Sequence, residues 1–199
     1  RTEPWSDYTV NGSAYSGSFA FQVITAPDGT KSAEITSYTG NSATIEIPET
    51  VVDTTDNTTY NVTSIKGEFL DGNSSATTLV ISRYVENIEG DFLVGNDTLR
   101  TIQVDTNNQY FSATNGVLFS KDQTMLIKYP PAKTGTSYTM PNTTRSLSNH
   151  AFANVSVLQT LTLSNQLLVI SNSAFAGATS IYRITFQTAT PPYLTGFKA

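Results

Sequence analysis

The chain has 199 residues, a size typical of one domain or of one domain with a short appendage. Only 14% of the residues are charged and the formal net charge is -5, so the basic surface that nucleic acid binding requires is missing. Cysteine is absent, which excludes disulfides, thiolate metal sites and thiol catalysis. No apolar run approaches the roughly 18 residues of a membrane span, so we expect no span in this chain.

Residues 1–42 are predicted to form a lead-in followed by a capping hairpin. Residues 1–18 are polar and contain Gly and Ser, as is typical of a lead-in segment. Residues 19–24 and 32–40 are rich in strand-forming side chains, and a turn cluster around Gly29 separates them. We therefore expect a β-hairpin that covers the open end of the core that follows.

The next segment, residues 43–51, is predicted to be the strand of an incomplete first repeat. Ile45, Glu46 and Ile47 alternate as in a half-buried strand, and Pro48 ends the alternation. Residues 53–60, which are mostly Asp, Thr and Asn, are predicted to form a surface loop.

The rest of the chain contains a 23-residue repeat, written twice in each of two blocks. In the upstream block the first copy carries Ile65, Phe69, Ala76, Leu79 and Ile81, and the second carries Ile88, Phe92, Leu99, Ile102 and Val104. In the downstream block the copies carry Leu147, Phe152, Leu158, Leu161 and Leu163, then Ile170, Phe175, Ile181, Ile184 and Phe186. A repeat this short must stack on its neighbours to bury its apolar side, which predicts a solenoid with one continuous core.

The predicted fold is mainly β with short helical or irregular turns. We expect the solenoid to occupy residues 43–199 and the repeated phenylalanines to stack in one buried column. Residues 107–142 interrupt the period, and within them the apolar runs 117–119 and 125–127 flank a turn at Lys121 and Asp122. This pattern predicts an inserted β-hairpin that packs on the solenoid.

The repeat pattern I-x-x-x-[AF]F-x-x-x-x-x-L-x-x-I-x-I resembles the BspA-type leucine-rich repeat of bacterial surface proteins. Residues 111–130 resemble the hairpin insertion of that family, and the ITSYTG and TPP segments resemble its leading and closing segments. The corner cysteine usual in the family is replaced here by Gly72, Gly95, Asn154 and Gly177. The resemblance implies a leucine-rich-repeat solenoid in a secreted or surface-anchored interaction protein, without a cofactor and with varied ligands.

Residues that could support catalysis or metal binding are few. His150 is the single histidine, and its counterpart in the next copy is Ser173, so a corner position is the better interpretation. The acid groups Glu86, Glu89 and Asp91, and Asp53 with Asp56, could in principle form a carboxylate pair, but their spacing fits a solvated face better. Calcium ligation by Asp71, Asn73, Asp105 and Asn107 lacks a matching loop pattern. Seven N-x-[ST] matches are attributed to chance in a chain rich in these residues.

The outward positions of the repeat strands are the remaining candidate site. Because strand side chains alternate, the residues between the buried ones face solvent and should form rows across stacked coils. The candidate ligand-binding residues are Thr78, Val80, Thr101, Gln103, Thr160, Thr162, Arg183 and Thr185, with Glu46 in the first strand.

Three hypotheses about function remain open. The leading one is a non-enzymatic protein-binding or adhesion domain whose partner is a protein, such as a host surface or matrix protein, or a glycan. The second is a carbohydrate-binding accessory module, with Trp5, Tyr84, Tyr182 and Tyr193 as stacking surfaces. An enzyme is third and would need convergent acids, or His150 paired with a base.

Overall fold

The computed structural model describes residues 9–187, and within that range the regular structure is entirely β. Short parallel strands stack in successive coils and are joined by irregular turns, so the solenoid predicted from the repeat is confirmed. Trp5 and Tyr193, which were predicted as stacking surfaces, and the closing prolines near residue 191 lie outside the described residues.

An antiparallel three-stranded meander caps the N-terminal end. Its strands are β1 Thr9–Ser16, β2 Phe19–Thr25 and β3 Lys31–Tyr38. The hairpin predicted from the sequence is β2–β3, and its turn is held by the Asp28 carboxylate, which accepts from the backbone N–H of Thr30 at 2.8 Å. The polar lead-in contains β1, which the composition did not indicate. Backbone hydrogen bonding to β2 can hold a polar edge strand without an apolar face.

The upstream block forms two parallel ladders on different sides of each coil. Its strands are β4 Thr44–Glu46, β5 Thr50–Asp53, β6 Thr58–Ile65, β7 Thr78–Ile81, β8 Asn87–Ile88 and β9 Thr101–Val104. One ladder has the order β4–β7–β9, and the other runs from β3 through β6 to β8. Because β3 pairs in parallel with β6, the cap continues directly into the repeats.

The prediction of a surface loop at residues 53–60 is wrong for part of that range. Strands β5 and β6 pair antiparallel, with Val51 opposite Tyr60, so only a tight turn separates them. The Asp53 and Asp56 carboxylates accept from the backbone N–H groups of Thr55 and Thr58, both at 2.9 Å. Tyr60 is buried in the upstream core. The sequence did not indicate this hairpin because residues 53–59 are all Asp, Thr or Asn, and Tyr60 is the first large apolar side chain after them.

The downstream half has the strands β10 Phe111–Thr114, β11 Val117–Ser120, β12 Met125–Lys128, β13 Ser137–Thr139, β14 Ser146–Leu147, β15 Thr160–Leu163, β16 Val169–Ile170 and β17 Arg183–Phe186. The predicted inserted hairpin is confirmed as β11–β12. An additional strand, β10, pairs with β11 through a turn at Asn115 and Gly116. Strands β12 and β13 then pair in parallel with β14 and β15, so the same segment also extends both downstream ladders.

Strand β11 lies between two apolar cores. Leu118 is fully buried in the upstream core, whereas its neighbours Val117 and Phe119 are fully buried in the downstream core. This distribution follows from strand alternation, which directs successive side chains to opposite faces. The single continuous core expected from the repeat is therefore divided into two clusters, and β11 contributes side chains to both.

The repeated phenylalanines form two stacks where one column is predicted. Phe69 and Phe92 stack with ring centroids 6.1 Å apart, and Phe152 and Phe175 stack at 5.3 Å. Tyr129 extends the second stack, since its ring lies 5.2 Å from that of Phe152. Tyr129 precedes Phe152 by 23 residues, so it occupies the repeat position that the sequence pattern left unassigned within the insertion.

Buried asparagines fix the corners of the upstream coils. Asn96 is fully buried, accepts from the backbone N–H of Leu99 at 3.1 Å and donates to the carbonyl of Asn73 at 2.8 Å. Asn73 in turn donates to the carbonyl of Gly40 at 3.0 Å. Each coil is thereby bonded to the one before it, and the N-x-[ST] match at Asn96 is explained by this structural role.

Candidate binding faces

The first ladder, defined as β4, β7 and β9, presents two rows of outward side chains. Thr44, Thr78 and Thr101 are aligned in one row, and Glu46, Val80 and Gln103 are aligned in the other. Between these rows the side chains of Leu79 and Ile102 are fully buried. The outward direction predicted for the candidate residues therefore agrees with the burial of their neighbours, since Gln103 is exposed and Val80 is half-buried.

The second ladder, defined as β13, β15 and β17, repeats this arrangement. Ser137, Thr160 and Arg183 are aligned, and so are Thr139, Thr162 and Thr185. The hydroxyls of Thr162 and Thr185 lie 3.2 Å apart and share a hydrogen bond. Arg183 and Thr185 are exposed, whereas Thr160 and Thr162 are half-buried. The last strand differs from the others in that Ile184, at a core position, is 48% exposed.

The candidate residues do not form one uninterrupted face. The tip of the β10–β11 hairpin lies beside β9, where the carbonyl of Gly116 accepts from the backbone N–H of Ile102 at 3.0 Å. This contact occupies the free edge of the first ladder. The structure consequently brings Thr78, Val80, Thr101 and Gln103 together, and separately brings Thr160, Thr162, Arg183 and Thr185 together.

A shallow groove of about 650 Å³ runs along the carboxyl ends of the first ladder. Glu46, Val80 and Gln103 contribute to its wall, so one of the two rows in this ladder borders a concave surface. Glu49 also lines the groove and forms an exposed ion pair with Arg83 at 2.9 Å. Such an exposed pair contributes little to stability and can be exchanged for contacts with a ligand.

His150 lies at a corner, as its equivalence to Ser173 predicts. Both residues have positive φ, at 53° and 56°. The Nδ1 atom of His150 lies 3.0 Å from a carboxylate oxygen of Asp91, a partner 59 residues away that sequence spacing could not indicate. Within residues 9–187 no serine or threonine hydroxyl bonds to this imidazole. The pair therefore links the two blocks, and the geometry needed for nucleophilic catalysis is not assembled there.

The other acidic candidates mostly hold turns. Glu89 accepts from the backbone N–H of Gly67 at 2.9 Å, and Asp105 accepts from that of Asn107 at 2.8 Å. Across residues 9–187 no three carboxylate or imidazole groups lie close enough together to hold a metal ion. Asp71 and Asn73 likewise belong to a corner, in which Asn73 bonds the backbone of Ser75 and Ala76.

The aromatic side chains predicted for carbohydrate stacking lie in different halves of the chain. Tyr84 follows β7, and the guanidinium of Arg83 lies 4.7 Å from its ring centroid. Tyr182 precedes β17 and is 73% exposed. No arrangement of the described aromatic residues favours the carbohydrate hypothesis over the protein-binding one.

A buried lysine lies at the junction of the two blocks. Lys128 is almost completely buried at the end of β12 and donates to the carbonyl of His150 at 2.9 Å. Burial lowers the pKa of Lys128 to about 8, and the charge of Asp97 acts in the opposite direction. Asp97 also accepts from the side-chain amide of Asn154 at 3.0 Å. Lys128, Asp97 and Asn154 thus connect the upstream corner to the downstream coil.

Sequence reasoning missed a second cavity, a cleft of about 500 Å³ at this junction. One wall is β8 with its flanking residues, and the other is built from β10, β11 and β12. Glu86 and Glu89 line it, although their sequence pattern favours a plain solvated face. The cleft could not be found from the repeat, because it forms where the repeat is interrupted.

The comparisons with known proteins agree with this architecture. Residues 132–192 match the family model of the BspA type leucine rich repeat region. The fold is similar to the pneumococcal vaccine antigen PcpA, with 17% identity, a TM-score of 0.53, and coverage of 89% of this chain and 70% of that one. It is also similar to a leucine-rich repeat protein from Eubacterium ventriosum, with 18% identity, a TM-score of 0.50, and coverage of 92% and 75%. No curated protein matches the chain in sequence. No helix among residues 9–187 is long and apolar enough to cross a membrane.

Proposed function

The chain carries BspA-type leucine-rich repeats, and from this premise we propose that it is a surface-exposed or secreted, non-enzymatic domain that binds a protein ligand. The observation that carries the proposal is the alignment of outward side chains along the first ladder (β4, β7 and β9) and the second ladder (β13, β15 and β17). The first of these ladders borders a groove. Solenoids commonly bind through extended faces of this kind, because stacking sets equivalent side chains next to each other.

The composition of the ladder faces suits recognition of a protein. Short hydroxyl side chains such as Thr101 and Thr162 offer hydrogen bonds and lose little side-chain entropy when they are buried. Val80 adds an apolar contact, while Gln103 and Arg183 add longer polar ones. A protein ligand can cover these rows without the deep pocket that a small substrate requires.

A surface location is supported by the resemblance in fold to PcpA, a protein described as a vaccine antigen. An adhesive role follows if the ligand is a protein of another surface, such as a host matrix protein. A glycan is the second class of ligand to screen, because Tyr182 is strongly exposed.

The test is a surface-binding screen of the purified chain against matrix proteins and glycans, followed by titration of three variants. We expect Gln103→Lys and Thr162→Glu each to weaken binding of a protein ligand about tenfold or more, since bulky charges would disrupt a packed contact. His150→Ala should leave the affinity within twofold, provided that each variant melts like the parent. Binding that survives when Gln103→Lys and Thr162→Glu are combined in one chain would place the ligand site elsewhere. Loss of a measurable activity in His150→Ala would support an enzyme.

A further inference from the structure

The cleft between β8 and the β10–β12 sheet carries charge that nothing in it balances. Three carboxylates line it, from Glu86, Glu89 and Asp122, and no Lys, Arg or His is among its lining residues. In the described part of the chain, the two ion pairs are Arg83 with Glu49 and His150 with Asp91, and neither involves these three groups. The cleft is therefore a concave, negatively charged surface.

The hydrogen bonds that the Asp122 and Glu89 carboxylates accept come from neutral donors. Asp122 accepts from the hydroxyls of Ser120 and Thr124, each at 2.8 Å, and Glu89 accepts from the backbone N–H of Gly67. The adjacent cation, Lys121, donates to the carbonyls of Thr106 and Asn108 instead. Neutral donors orient the carboxylates without cancelling their charge, which leaves them available to a cationic ligand.

Part of the cleft lining is apolar and only partly covered. Ile88 and Ile127 are half-buried within it, and Tyr110 is 44% exposed at its margin. Apolar side chains beside carboxylates match the side chains of lysine and arginine, which combine a methylene stem with a charged end. The tyrosine ring adds a face suited to a guanidinium or ammonium group.

The spacing of the carboxylates favours an elongated ligand over a metal ion. Among the described residues no three acidic groups converge closely enough to hold one ion. Among the strands of residues 9–187, β8 pairs with β6 and with no other strand. A backbone edge beside separated carboxylates suits an extended peptide segment, which adds main-chain contacts to its side-chain contacts.

We propose that this cleft is a second binding site, distinct from the ladder faces, and that it takes an extended, lysine- or arginine-containing segment of a partner protein. The carboxylates of Glu86 and Glu89 contact the cationic side chains, and Ile88 and Ile127 contact their methylene stems. Because opposite charges also steer the encounter, association should be faster and tighter at low ionic strength.

The test uses a fluorescein-labelled octapeptide of alternating lysine and valine, acetylated and amidated, titrated with the full chain in an anisotropy assay. A peptide with glutamate in place of lysine is the probe control. We expect the lysine peptide to bind at least tenfold more tightly than the glutamate peptide at low salt. The variant Glu86→Gln/Glu89→Gln should weaken lysine-peptide binding about tenfold, because it removes two of the three charges in the cleft.

The matched control variant is Asp28→Asn/Asp56→Asn, which removes two exposed acids from the β2–β3 and β5–β6 turns and leaves the cleft and both ladder faces unchanged. It should bind the lysine peptide within twofold of the parent. Equal weakening by Asp28→Asn/Asp56→Asn and by Glu86→Gln/Glu89→Gln would show that net charge alone attracts the peptide, and this result would overturn the proposal. So would displacement of the peptide by spermine at an equal concentration, since a simple polyamine lacks the extended backbone. Lack of peptide binding at a chain concentration of about 1 mM would also contradict the proposal. None of these outcomes depends on the ladder faces.

Discussion

Phe152 illustrates how single residues hold the repeat together. Its side chain is fully buried, and its ring lies between those of Tyr129 and Phe175. Truncation to alanine would remove the middle ring of this stack and leave a cavity that rigid neighbouring strands cannot fill. We expect Phe152→Ala to lower the free energy of unfolding by about 3 to 5 kcal/mol, measured by urea denaturation. A loss below about 1 kcal/mol would mean that the stack contributes little to the downstream core.

Lys128 gives the protein a measurable pH dependence. Its pKa is lowered to about 8 by burial, while an unfolded lysine titrates near about 10.4. Between these values the unfolded chain binds more protons than the folded one, so the free energy of unfolding rises with pH. We expect an increase of about 1 to 2 kcal/mol from pH 7 to pH 9.5 in urea denaturation. Above that range the buried Tyr129, whose pKa is raised to about 12, acts in the opposite direction.

The variant Lys128→Met tests this assignment. It should lose most of the increase and be at least as stable as the parent at pH 7, because a buried charge is replaced by an apolar side chain of similar length. A smaller rise remains, since burial also lowers the pKa of Lys133. Lys31→Met, at an exposed lysine, is the matched control and should keep the full rise. A full rise in Lys128→Met would show that another group is responsible.

At the scale of elements, the β10–β11 hairpin depends on Gly116. This residue has φ at 77°, and a Cβ there would lie 3.2 Å from Cγ2 of Thr101. Gly29 has a similar φ of 87°, but a Cβ there would meet nothing within 4 Å. Both alanine substitutions carry the cost of a left-handed conformation, about 1 to 2 kcal/mol. We expect thermal or urea unfolding to show a larger loss for Gly116→Ala, because only there must the neighbouring strand also shift. Equal losses would contradict the close contact with β9.

Elements that follow the repeat pattern were predictable from the sequence, and those that depend on tertiary pairing were not. The repeated apolar residues include those of strands β7, β9, β15 and β17. These strands were predictable because short repeats must stack to bury such residues. Strand β1 and the turn end of the β5–β6 hairpin are rich in polar residues and pair through the backbone, which leaves no period in the sequence. The outward residues are predictable from alternation alone. The cleft and the contact between Asp91 and His150 depend on how two blocks meet, which no local pattern encodes.

At the scale of the whole molecule, the inserted strand β11 determines the surface organisation. Because it divides the core, the outward residues form two ladders, and the cleft opens beside β8. Both proposed binding surfaces therefore depend on the same structural feature. The division also places the adjacent residues Leu118 and Phe119 of β11 in different cores, so substitutions at these two positions should have different effects.

Methyl NMR spectra of Leu118→Ala and Phe119→Ala test this division most directly. Leu118 belongs to the upstream core and Phe119 to the downstream core, so each variant should perturb a different set of methyl signals. We expect Leu118→Ala to shift signals such as that of Ile102, and Phe119→Ala to shift signals such as that of Leu147. The same set of shifted signals in both variants would contradict the division of the core by β11, and with it the two-ladder surface.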